Sequence, residues 1–131
     1  MSAVLQERPF TTDDCRKVLN AAANILAKWA ATTELACKIL RVSRSTLARA
    51  QNGKPVDLDS DQISRASIIL NCHAALRTVF DNPENVYGFV NMKNHNPFFN
   101  GKSPLEIMSS GQFVSLYETY KRIDALRGAG W

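Results

Sequence analysis

The segment DSDQISRASIILNCHAALRTVF, Asp59 to Phe80, leaves the chain little choice of fold. Asp59 and Gln62 stand at capping-box spacing, each side chain within reach of the other's backbone N–H. Behind them Ile63, Ala66, Ile69 or Leu70, His73, Leu76 and Phe80 return at steps of three and four, which is one face of a helix. The same grammar governs the rest of the chain. TTDDCRKVLNAAANILAKW opens with threonine caps and first-turn acids, then sets Cys15, Val18, Ala22, Ile25 or Leu26, and Trp29 along one side. TTELACKIL is a short second helix capped by Thr32 or Thr33. Ser43 caps a third, with Leu47 and Ala50 inward, and QNGKP stops it. Asn82-Pro83 starts a further helix, Ser103-Pro104-Leu105-Glu106 another, closed by Gly111. QFVSLYETYKRIDALR is the last, aligning Phe113, Leu116, Tyr120 and Ile123. No stretch alternates as a strand does. The expected fold is all-α, a helix-turn-helix lobe followed by a small helical lobe.

Charge divides the 131 residues unevenly. Residues 1–56 hold nine lysines and arginines against four acids, and residues 57–131 hold seven against eight. That split suggests an N-terminal region over 1–56 that meets a polyanion and a region over 57–131 that meets something else. Cys15, Cys37 and Cys72 are odd in number and include no C-x-x-C pair, which argues against a disulfide framework or a zinc site. His73 and His95 share no ligand spacing with a cysteine or carboxylate. No apolar run reaches the roughly 20 residues of a membrane span, and the N-terminus lacks signal-peptide character. A cytoplasmic protein is expected, with no metal and no cofactor.

In ACKILRVSRSTLARAQNGKP two short apolar patterns flank a break at Arg41-Val42. Ala36, Leu40, Val42, Leu47 and Ala50 supply the packing positions of a helix-turn-helix, with Cys37 where the helices come closest. The third helix then turns Ser43, Arg44, Ser45, Thr46 and Arg49 outward for a major groove. Arginine reads guanine through paired donors, while Lys38, Arg41 and Lys54 neutralise phosphates. This section resembles the helix-turn-helix of Xre-type regulators. It departs from that motif at Arg41, where glycine is usual, because a left-handed turn strains a residue with a Cβ.

The C-terminal half, NHNPFFNGKSPLEIMSSGQFVSLYETYKRIDALRGAGW, resembles the toxin-binding domain of Xre/MbcA/ParS-type bacterial antitoxins. Asn100, Gly101, Ser103, Pro104, Leu105, Gly111 and Leu116 carry the resemblance, and local turn and capping chemistry accounts for most of them. Chemistry alone leaves two places for Trp131: folded onto its own core, or filling a pocket on a partner. The resemblance favours the partner. It implies Arg127 and Trp131 as blocking residues at a toxin's active site, with Tyr117, Lys121 and Asp124 around them. For the Xre branch it further implies a RES-domain, NAD-degrading toxin, an operator bound in the antitoxin's own promoter, and a homodimer within a larger assembly. The competing expectation is a free-standing transcriptional regulator whose C-terminal half only dimerises, through Phe98 and Phe99 or the Tyr117/Tyr120 side of the last helix. Catalysis has little support: the acids sit mainly at helix starts, where capping explains them, and no nucleophile stands beside a base.

Overall fold

The computed structural model describes residues 10–128. Its elements in chain order are α1 (Thr12–Lys28), α2 (Thr33–Leu40), α3 (Arg44–Gln51), α4 (Ser60–Val79), α5 (Pro83–Gly88), α6 (Pro104–Met108) and α7 (Phe113–Ala125). Short 3-10 turns at Phe89–Asn91 and Leu126–Gly128 follow α5 and α7. No strand occurs among the described residues, and the fold is all-α.

The helix starts follow from side-chain chemistry. Thr11 and Asp14 form a capping box on α1, as do Asp59 with Gln62 on α4 and Ser103 with Glu106 on α6. Thr32, Ser43 and Asn82 each accept one N–H in the first turn of α2, α3 and α5. Each cap satisfies donors that the helix itself cannot, and its loss typically costs about 1 kcal/mol.

Helix α4 lies at the centre, packed against α1 and against α7. Its buried residues, Arg65, Ala66, Ile68, Ile69, Cys72, Ala75 and Leu76, cover more than one stripe because it has neighbours on two sides. The core is continuous from Cys15 on α1 to Ile123 on α7. On α1 the buried side is Cys15, Leu19, Ala22, Ala23 and Leu26, with Trp29 sealed just beyond the helix end, whereas Val18 and Ile25 are half-buried. On α7 the inner residues are Leu116, Thr119 and Ile123. Phe113, expected on that side, is 38% exposed. The inward stripe leans towards Thr119, which places Phe113 on the rim at the first turn.

The loop before α6 is tied off by its own backbone. Asn94 donates to the Lys102 carbonyl at 3.1 Å and Gly101 to the Asn94 carbonyl at 2.8 Å. That closure tucks Phe99 inside, while Phe98 lies under the Arg122 guanidinium at 4.0 Å. Phe99 is thus buried, whereas Phe98 stays half-buried.

Candidate functional site

Helices α2 and α3 meet through Ala36, Leu40, Val42, Leu47 and Ala50, all buried, with Ile39 beside them. Cys37 is half-buried, and desolvation pushes its thiol above the ordinary cysteine range. This packing leaves one side of α3 open: Ser43, Arg44, Ser45 and Arg49 are exposed and Thr46 is half-buried. The three hydroxyls form a local network. Ser43 Oγ accepts the Thr46 N–H at 3.1 Å and lies 3.0 Å from Thr46 Oγ1 and 3.2 Å from Ser45 Oγ. Arg44 extends into solvent with Glu34 at the edge of ion-pair range, 3.9 Å. Arg49 donates to the Pro55 carbonyl at 3.1 Å and lines a shallow cavity of about 350 Å³ with Thr12, Thr46 and Val56. Lys38 and Lys54 are exposed on the same half of the molecule.

Arg41 occupies the left-handed region, φ 57° and ψ 45°, at the end of α2. Its guanidinium is engaged by two carboxylates at the start of α4. Nε donates to Asp61 at 2.7 Å, Nη2 donates to Asp59, and Gln62 Nε2 donates to the Arg41 carbonyl at 2.8 Å. Arg41 holds both carboxyls below the usual aspartate range, and they in turn raise its own pKa. Phosphate neutralisation by Arg41 therefore has to compete with these two acids.

Arg65 is the residue that sequence reasoning missed. It is only 6% exposed. Nε donates to Asp61 at 2.9 Å, and Nη1 to the Ile39 carbonyl at 3.0 Å and the Gly111 carbonyl at 2.8 Å. The available signal was an arginine four residues after an acid on an otherwise apolar helix, a spacing that usually marks a surface pair.

The exposed edge of α7 carries the other candidates. Phe113 stacks on Tyr117 at 6.3 Å with their planes 11° apart, and Lys121 Nζ stands 5.8 Å from the Tyr117 ring. Val114, 60% exposed, broadens this edge and was not anticipated; neither was the outward turn of Phe113. Asp124 accepts from Arg127 Nε at 2.8 Å one turn further on. The geometry joins Phe113, Tyr117 and Lys121 at helical steps of four, with the Asp124–Arg127 pair beyond. Trp131 lies outside the described residues.

Residues 75–129 match the antitoxin Xre/MbcA/ParS C-terminal toxin-binding domain. A second comparison aligns the chain with the uncharacterized protein y4oB of Sinorhizobium fredii (strain NBRC 101917 / NGR234), 31% identical over 111 residues that make up 84% of each chain. The match supports an Xre/MbcA/ParS-type antitoxin whose toxin-binding domain lies in the C-terminal part of the chain. Its partner is therefore a toxin, and the matched domain is an antitoxin module rather than an enzyme family. Within that domain Ser103 and Pro104 are buried at the cap of α6, Leu105 and Leu116 are core, and Asn100-Gly101 form the turn at positive φ. These residues build the scaffold of the matched domain and leave the α7 edge exposed.

No group of three or more His, Cys, Asp or Glu among the described residues is placed to hold a metal ion. Burial pushes the Cys72 thiol up to about 12, with the Asp124 charge adding to it, so it serves as a small apolar residue. No described helix is long and apolar enough to cross a membrane.

Proposed function

We propose that this antitoxin works through two surfaces, one over residues 1–56 for DNA and one over 57–131 for the toxin. The toxin is a RES-domain protein that degrades NAD, as in the Xre branch. The antitoxin covers that enzyme's active site with the α7 edge and the chain end: Tyr117, Lys121 and Asp124 dock, while Arg127 and Trp131 fill the cleft. The observation that carries this reading is the open row of Phe113, Val114, Tyr117 and Lys121 inside a matched toxin-binding domain. Exposed aromatics stacked in a row on a rigid helix lose little conformational entropy on docking, which is what interface hot spots require.

The DNA surface is α3, with Arg44 and Arg49 towards base edges, Ser43, Ser45 and Thr46 towards phosphate or base, and Lys38, Lys54 and a released Arg41 on the backbone. Bound at its own promoter as a two-fold dimer, the antitoxin represses its operon. Co-expression with the product of the neighbouring reading frame tests the first surface. A stable complex, restored growth and preserved cellular NAD are expected. Growth arrest that persists beside a protein that still binds its promoter would leave only a DNA-binding regulator.

A further inference from the structure

Among the described residues Arg65 alone is a buried charge, and its donors reach Asp61 on its own helix, the end of α2 and the loop that enters α7. We propose that Arg65 is a coupling residue, tying the Phe113 edge of α7 to the turn that aims α3. Its biological meaning rests on the two surfaces assigned above; the physical linkage is a property of the lone chain.

A guanidinium is a planar fork with fixed angles between its donors, so it cannot follow one partner without pulling on the others. Here one partner is the Ile39 carbonyl in the last turn of α2, and another is the Gly111 carbonyl at the entry to α7. The third, Asp61, uses the same carboxylate oxygen to hold Arg41 in the turn between α2 and α3. The far side of this junction is equally close: a Cβ built on Gly111 would stand 2.9 Å from Lys38 Cγ. Phe113 completes the path, its ring centre 5.9 Å from the Arg65 guanidinium carbon while its outer face meets solvent. Anything seated on that face presses on the ring over Arg65.

The element with two arrangements is Arg41. The structure holds its guanidinium between Asp59 and Asp61, in a left-handed turn that is strained for a residue with a Cβ, and the second arrangement would have another anion capture it. Whatever shifts Arg65 changes Asp61, and with it the balance at Arg41. By reciprocity, an anion that captures Arg41 changes the Phe113 edge by the same factor.

Hydrogen exchange on the full chain, alone in solution, tests this without partner or DNA, so its failure would leave both surface assignments standing. The reporters are the Gly111 amide, bonded to the Met108 carbonyl at 3.0 Å, and the Val42 amide, bonded to the Cys37 carbonyl at 3.0 Å. Phe113→Ala should speed exchange at both by about fivefold, the lower end of measured couplings, and leave the Trp29 amide unchanged. In an Arg65→Lys background, which keeps the charge but not the fork, Gly111 should still respond and Val42 should not. Asp61→Ala breaks the path to Arg41 at its exposed link but leaves the Ile39 bond, so it should reduce the Val42 response and serves as the test if Arg65→Lys folds poorly. A Val42 amide indifferent to Phe113→Ala in the wild-type chain overturns the proposal. So does one that responds equally with the link broken, or a uniform rise at all three amides.

Discussion

Gly111→Ala measures how tightly the α2 end is pressed against the α7 entry, and Gly53→Ala is its internal control. The two glycines have nearly the same backbone, φ +76° and +77°, but different surroundings. At Gly53 an added Cβ meets nothing within 4 Å; at Gly111 it lies 2.9 Å from Lys38 Cγ, 3.3 Å from Cε and 3.4 Å from the Lys38 carbonyl. Both substitutions incur the left-handed penalty of about 1–2 kcal/mol. Both recover about 0.4–1 kcal/mol because the unfolded chain becomes less free. Those terms cancel in the difference. What remains is the displacement of Lys38 from its rotamer, about 0.5–1.5 kcal/mol. Gly53→Ala should therefore destabilise by roughly 1 kcal/mol and Gly111→Ala by roughly 1.5–2.5 kcal/mol. For a chain of this size each kcal/mol moves Tm by roughly 3–5 °C. Urea midpoints and thermal melts of both variants and of Lys38→Ala/Gly111→Ala would read it. The double variant should return to the Gly53→Ala value, since alanine at 38 has no Cγ to collide. Equal losses for the two single variants would refute the close contact, and with it the rigid junction around Arg65.

Three further outcomes are expected. Arg44→Ala should weaken promoter binding by about 1–3 kcal/mol if it reads a base, and log K should fall with log salt by about 0.9 per phosphate neutralised; unchanged affinity removes Arg44 from the interface. Tyr117→Ala should lower toxin affinity by about 2 kcal/mol or more, near thirtyfold, with the melting temperature little changed; full affinity places the toxin elsewhere. Burial first, then the Arg77 and Lys28 charges, lowers the pKa of His73, which stacks on Tyr87 at 5.3 Å. The unfolded chain thus takes up its proton more readily, so stability is complete above about pH 6.5 and declines as pH falls below it. His73→Phe keeps the stack and should flatten that decline between pH 7.5 and 5; equal slopes would refute it.

Helix starts were legible because capping is local: Thr11, Ser43, Asp59, Asn82 and Ser103 each act within three residues of themselves. The packing of α2 on α3 was legible for the same reason, since its five apolar positions lie within fifteen residues. On α1 the buried residue is Leu19 rather than Val18, and the spacing of Cys15, Leu19, Ala22, Leu26 and Trp29 at steps of four and three was there to be read. What lay beyond reach is set by distance along the chain. Phe113 looks like a core residue by spacing, and only the lean of α7 towards Thr119 turns it to the rim. Arg65 reaches carbonyls 26 residues before it and 46 after it, a span over which spacing carries no information.

Arg41 joins the two scales. Glycine is the residue a left-handed helix end favours, so arginine there reads as a defect in the motif. The structure supplies its compensation: two carboxylates and the Gln62 amide, all from the first turn of α4, grip its side chain and its carbonyl. Asp59 and Asp61 belong to the near-neutral half by count, yet they act on the turn of the basic half. Charge balance along the sequence therefore overstates the separation between the halves, because the acids that moderate the basic surface arrive from beyond residue 56. Arg41→Gly would remove the strain and the grip together. Stability should change little, since relief of the left-handed strain in the turn, about 1–2 kcal/mol, offsets the loss of solvent-screened ion pairs and the greater freedom of the unfolded chain. The Val42 amide should nevertheless exchange independently of Asp61. A variant markedly less stable than wild type would mean that the grip, rather than the turn, governs this joint.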